Sequence, residues 1–211
     1  MPRNNFVRTD NFMGLPLVPR ADGYYRDILD RMRVLFDHAA ANHHKVLAVR
    51  FDLRRPEVCA HLPANQPVSD FMKLFSDYLN SRQPRIDHEF LWACETGDVN
   101  QGVHHHVVLW LNGDRTQAFF GDHLDRAREL WSHVLGIPFT KWLVHVCDWE
   151  REYGHPDMPY VRPDGVVIQR GSEQRDEAYE LFFERAAYVG KVSGKANMPP
   201  NMRRYASSHL S

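Results

Sequence analysis

The alternation of apolar and polar residues divides the chain into a short series of elements. From Tyr24 to about Asn42, Ile28, Met32, Leu35, Phe36 and Ala39 recur at helical spacing, with Asp22 as a candidate N-cap. Val46–Leu53 (VLAVRFDL) reads as a strand that ends near Pro56. Residues 56–67 contain three prolines and predict a loop. Ser69 is a candidate cap for a second helix whose apolar side is Phe71, Leu74, Phe75, Tyr78 and Leu79. Residues 86–96 (IDHEFLWACET) and 103–111 (VHHHVVLWL) read as strands, and the turn-rich GDVNQG between them predicts a β-hairpin. Asp122 can cap a third helix with the stripe Leu124, Ala127, Leu130, Trp131 and Val134, ended by Gly136 and Pro138. Residues 141–147 (KWLVHVC) read as a fourth strand, 149–172 as a long polar segment, and Glu173 to about Val192 as a last helix. Residues 1–22 are polar and Pro-containing, which predicts an extended arm.

The resulting order, β-α-β-β-α-β-α after one helix, predicts an α+β protein. It is the order of a ferredoxin-like unit, a split βαββαβ arrangement of palm type, with added N- and C-terminal helices. The expected organisation is an arm and helix over 1–44 followed by one domain over 45–211, together forming one compact body.

Composition adds little until the charge is located. The chain has 211 residues, 26 Lys+Arg, 27 Asp+Glu and a net charge of −1, which by itself argues against a nucleic-acid partner. Residues 1–56 hold ten Lys/Arg and six Asp/Glu, net +4; residues 57–184 hold eleven and twenty-one, net −10; residues 185–211 hold five and none, net +5. Two basic ends therefore flank an acidic middle, which removes that argument. The three cysteines, Cys59, Cys94 and Cys147, are widely spaced and exclude a disulfide framework or a cysteine zinc knuckle. No apolar run approaches the roughly 18–20 residues of a membrane span, and the first twenty residues lack a signal-peptide core. The expectation is a cytoplasmic protein with no membrane partner.

Among thirteen histidines, the run His104-His105-His106 is the sharpest local feature. Side chains alternate along a strand, so His104 and His106 share a face and His105 points away. If the hairpin closes symmetrically around 97–102, Glu95 lies opposite His104, with directly opposed Cβ atoms about 4.5–5.5 Å apart. Two imidazoles and a carboxylate on one face leave open coordination positions and suit Mg²⁺, Mn²⁺ or another transition ion more than a closed structural zinc site. A slip of one residue would send Glu95 to the other face. The other ten histidines form no comparable cluster.

In the last helix, Ala178, Phe182 and Val189 form the buried side. Tyr188, Lys191 and Lys195 fall within about 60° of one another at 3.6 residues per turn. An ammonium beside a phenol favours the phenolate, and such a tyrosine can attack phosphorus and hold the product covalently.

The His-x-His strand and the downstream Tyr188-Val189-Gly190-Lys191 together resemble the HUH endonucleases, metal-dependent nicking enzymes of rolling-circle replication. Cys94-Glu95-Thr96-Gly97 resembles their acidic ligand position, and Val49-Arg50-Phe51-Asp52-Leu53 loosely resembles their first motif. Over about residues 24–208, the arrangement is similar to inovirus-type replication proteins and to the YagK/YfjJ C-terminal domain family. Ala187-Tyr188, Lys191, Lys195 and Arg204-Tyr205-Ala206-Ser207-Ser208 match there. The central motif position, His105, departs from the apolar or aromatic residue usual in the family, and could shift the metal register.

The resemblance implies single-strand nicking and strand transfer. His104, His106 and Glu95 would hold Mg²⁺ or Mn²⁺, Tyr188 would form a 5′-phosphotyrosyl link, and Lys191 would stabilise charge. Single-stranded or origin DNA would be the partner. No GxxxxGK[ST] occurs, so unwinding would fall to a host helicase, with a host polymerase extending the freed 3′ end. The expected DNA-binding groups are Arg50, Arg54, Arg55, Lys195, Arg203 and Arg204. Asp52 is either an outer partner of the site or a salt-bridge acid. Two other functions compete. One is a non-catalytic RRM-like nucleic-acid-binding module, for which Phe51 would be the exposed aromatic. The other is a palm-fold metal-dependent hydrolase or primase that leaves Tyr188 idle.

Overall fold

The computed structural model describes residues 5–96, 102–147, 158–195, 198 and 202–210. The expected arm is not merely extended. Its strands β1 (Phe6–Val7), β2 (Asn11–Phe12), β3 (Leu15–Pro16) and β4 (Tyr24–Tyr25) pair locally, and Val7, Phe12, Leu17 and Tyr24 are buried. Apolar residues spaced through a polar stretch were sufficient to dock it. Helix α1 (Arg26–Asn42) follows directly. Its N-cap is Tyr25, with no side-chain cap bond, so Asp22 does not fill that role.

The rest is an α+β arrangement. It comprises β5 (Lys45–Arg54), α2 (Gln66–Ser81), β6 (His88–Thr96), β7 (Val103–Asn112), α3 (Asp122–Leu135), β8 (Val144–Val146), β9 (Val161–Arg162), β10 (Gly165–Gln169), α4 (Arg175–Ala186) and β11 (Tyr205–Ser207). Helix α2 starts earlier than expected, with Pro67 in its first turn, where no backbone N–H is needed. Ser69 lies inside it and bonds back to the Asn65 carbonyl. Helix α3 stops at Gly136, which takes the left-handed conformation (φ 67°) that glycine adopts without strain.

Seven strands form the main sheet, in the order β11-β6-β7-β5-β10-β9, with β8 also on β5. Every pairing in it is antiparallel. One edge of β5 is shared: β10 takes residues 45–48 and β8 takes 51–53. Strand β10 lies in the stretch read as a long polar segment, because five residues between Pro163 and Gly171 give too short a pattern to register. Strand β8 is shorter than expected, since 141–143 form a 3₁₀ turn. The turn at 97–101 and residues 149–157 of the polar segment lie outside the described residues.

Both sheet faces are covered. Helices α2 and α3 pack on Leu47, Val49, Phe51, Leu53, Trp92, Cys94, Val107, Leu109 and Leu111. Helices α1 and α4 and the N-terminal strands pack on the alternate residues Val46, Ala48, Leu91, Ala93, Val108 and Trp110. This burial on both faces explains why β7 reads as a nearly unbroken apolar run after the histidines. Phe51 is fully buried, so it is not the exposed stacking residue that an RRM-like sheet would present. No helix among the described residues is long and apolar enough to cross a membrane.

Candidate metal and tyrosine site

The register of β6 against β7 places Glu95 opposite His104 and Thr96 opposite Val103. Glu95, His104 and His106 therefore share the face covered by α1 and α4, at the end of the sheet where those helices run out. Each offers a ligand atom, and these atoms lie within 4.8 Å of one another. Glu95 Oε2 is 2.7 Å from His106 Nε2 and 3.6 Å from His104 Nε2. Burial disfavours charge on Glu95, but hydrogen bonds from His104, His106 and Lys191 outweigh it and hold the carboxyl far below the usual range.

The donor set fits a divalent ion, and Asp52 strengthens that fit. Its Oδ1 lies 2.6 Å from His106 Nδ1, on the ring nitrogen away from Glu95. A carboxylate on the far nitrogen fixes the ring's orientation as a ligand. Burial opposes ionisation of Asp52, but His106 and Arg50 prevail and bring its pKa down to about 2. Of the two roles open to Asp52, the outer partner is the one its geometry suits.

His105 does not compete for the cluster. It is fully buried on the opposite face, with its ring 5.6 Å from Trp92 and 6.4 Å from Trp131. Burial pushes its pKa down to about 3.

The last helix ends sooner than expected. Residues 187–190 continue as a 3₁₀ turn, and Lys191 leaves it to bridge Tyr24, while Val192 N–H donates to Gly23 C=O. The tighter turn brings residues three apart into line, so Lys191 Nζ donates to Tyr188 Oη. The same ammonium lies 2.7 Å from Glu95 Oε1. The Tyr188 ring stands 5.3 Å from that of His106, and the guanidiniums of Arg20 and Arg50 each sit 4.7 Å from its centre. Tyr179, by contrast, stacks on Phe36 at 3.7 Å, away from the site.

Lys195 does not lie on that helix. A separate turn carries it inward, where it is 1% exposed. Its ammonium has no hydrogen-bond partner among the described residues, and burial lowers its pKa to about 8. It is not on the basic surface where DNA contact was expected. Gly194, beside it, takes φ +78°, and an added Cβ would stand 2.4 Å from Glu95 Oε1. Its carbonyl accepts from both Thr96 N–H and Thr96 Oγ1, at 2.9 and 3.0 Å. That turn thus presses on the Glu95 end of β6.

The expected DNA-binding arginines divide. Arg54 and Arg203 are exposed. Arg55 donates to the carbonyls of Leu62 and Pro63, and Arg204 lies over the Tyr25 ring. Arg50 is turned inward, to Tyr188 and Asp52. Sequence reasoning missed Arg20, for which a polar arm gave no signal, and His145, which is exposed and pairs directly with Asp52 in the sheet.

No curated protein sequence matches the chain. Among solved structures, the N-terminal nuclease domain of the minute virus of mice non-structural protein 1 is similar at 12% identity and a TM-score of 0.35, over 69% of this chain and 79% of that one. That domain is described as having a unique Zn²⁺ coordination in its active-site pocket and a novel mode of DNA recognition at the origin of replication. The model of the YagK/YfjJ C-terminal domain matches residues 7–208, nearly the whole chain, and the protein belongs to that family.

Proposed function

We propose that the chain is an HUH-type, metal-dependent nuclease that nicks single-stranded DNA and transfers the strand through Tyr188, initiating rolling-circle replication of a phage or mobile element. The observation that supports this best is one carboxylate with two sets of partners. Glu95 faces the two histidines through Oε2, and through Oε1 it holds the ammonium that donates to Tyr188. A candidate metal site and a candidate nucleophile are thereby joined through a single side chain. The strand order β6-β7-β5-β8 agrees with a split βαββαβ palm. Arg20 and Tyr24, which touch Tyr188 and Lys191, favour treating 1–44 and 45–211 as one working unit.

A divalent ion on Glu95, His104 and His106 would supply Lewis-acid polarisation of the scissile phosphate. Mg²⁺ or Mn²⁺ is our choice, and two nitrogens with one oxygen also accommodate Zn²⁺. Lys191 donates to the Tyr188 oxygen and is placed to stabilise charge on the phosphate it attacks. The Arg20 and Arg50 guanidiniums hold the ring in place. The Tyr188 oxygen bonds to phosphorus as the bond to the 3′ oxygen breaks. The phenol proton is released, and the departing oxygen takes one up to become a 3′-hydroxyl. The 5′ phosphate stays on the tyrosine until a 3′-hydroxyl reverses the step. Unwinding and synthesis are left to host enzymes.

The test is incubation with single-stranded origin DNA and Mn²⁺, followed by denaturing electrophoresis. The expected result is a covalent protein–DNA adduct that disappears in Tyr188→Phe. Cleavage that persists in Tyr188→Phe without an adduct would instead favour a hydrolase. DNA bound but left intact with every metal would favour a binding module.

A further inference from the structure

Of the exposed aromatics on the described surface, Phe120, Phe139 and Trp142, the tryptophan is the largest and most exposed. Trp142 is 74% exposed, and Phe139, three residues before it, is 59% exposed. An indole left in water forgoes a favourable burial, so its exposure needs a reason.

Its position supplies one. Strand β8 pairs with β5 through Phe51–Val146, Asp52–His145 and Leu53–Val144. The ladder stops there, because residues 141–143 form a 3₁₀ turn. A cleft of about 460 Å³ brings the turn to the site: Asp52, Arg54, Arg55, His104 and Leu143 all line it. Trp142 directly precedes Leu143 and so adjoins, along the chain, a cleft whose wall includes the candidate metal ligand His104.

The charge around it fits an anionic strand. Arg54 and Lys141 are exposed, and Lys141 Nζ lies 4.7 Å from the Trp142 ring. Exposed His145 continues the row towards Asp52. An aromatic platform with cations alongside is how sequence-tolerant single-strand binding is built: bases stack on the ring, and phosphates meet the cations.

We propose that Trp142 is a base-stacking platform for unpaired nucleotides of the DNA strand, which enters the site along Lys141, Trp142 and Arg54. This rests on the nuclease reading above for the identity of the strand. It assigns the side of the site from which the strand arrives.

The test measures binding rather than cleavage. Fluorescein-labelled single-stranded oligonucleotides are titrated with Tyr188→Phe protein, in which the strand stays intact, and with the same protein carrying Trp142→Ala or Trp142→Phe. Trp142→Ala is expected to weaken binding by about 5- to 100-fold, the range of one lost base stack, and Trp142→Phe to recover most of it. Duplex of the same sequence should respond less than twofold. Single-strand affinity unchanged in Trp142→Ala overturns the proposal. So does an equal loss on duplex, because a platform requires unstacked bases. If sedimentation shows that Trp142→Ala turns a dimer into a monomer, the surface serves a second copy of the chain and the proposal is again overturned. A wild-type protein that forms no adduct sinks the nuclease reading without altering this measurement.

Discussion

Strand β7 puts three chemically identical side chains into two different surroundings, and the contrast shows what makes a histidine functional. His104 and His106 face the charged or polar groups of Glu95, Asp52 and Tyr188. His105 is a single residue away, yet it faces Trp92 and Trp131 in a layer closed by α2 and α3. On the first face, the Glu95 carboxylate and the two rings can share a metal cation. On the second, burial disfavours any charge, and the ring acts as a medium-sized core side chain. The difference lies in the alternation of the strand and in what each sheet face packs against, not in the residue itself.

The contrast is easiest to break from the polar side. His104 is the most exposed of the three ligands, at 20% of its side chain, so His104→Ala should leave the fold within about 1 kcal/mol of wild type. Metal affinity, read by calorimetric titration with Mn²⁺, should fall at least about 100-fold, since even partners of the ligands typically cost 10–100-fold. His105→Ala should do the reverse. It empties a fully enclosed position between two tryptophans and should cost about 2–4 kcal/mol in chemical denaturation. Once folded, the variant should bind Mn²⁺ within about twofold of wild type. Metal loss in His105→Ala with the fold intact would mean that the two faces are not independent.

Much of this was legible because it depends on short-range rules. Period-two alternation separated His105 from its neighbours, and a symmetric hairpin placed Glu95 opposite His104, as the register has it. The boundaries of β5, β7 and α3 fall within a residue or two of the apolar pattern. What was not legible depends on long-range packing. Tyr188 and Lys191 were expected on an α-helix, but the arm's backbone at Gly23 and Tyr24 captures residues 191 and 192 and tightens the last turn. Lys195 looked like part of a basic tail, because nothing local announces that the turn after Gly194 directs it inward. Strand β10 and the arm's contribution of Arg20 each require a partner more than a hundred residues away in the chain.

The smallest expected effect sharpens the comparison further, since it asks whether His105 is kept neutral by its face. Its folded pKa, near 3, lies below the ordinary histidine value of 6.5, so below pH 6.5 the unfolded chain binds a proton that the folded chain refuses. Stability is then fully present above 6.5 and is lost as pH falls towards 3. Between pH 6.5 and 5.5 this group alone should remove about 1 kcal/mol. Other buried histidines, His88 and His123, are also shifted down by burial, so the wild-type slope is not attributable to one residue. His105→Leu isolates it: the variant keeps an apolar side chain of similar size and has no proton to refuse. Unfolding free energies of the two proteins, measured by urea titration at pH 7.5, 6.5 and 5.5, should differ by a margin that moves in the variant's favour as pH falls. A margin that stays constant would show that His105 takes up its proton in the folded state, and that the apolar face does not keep it neutral.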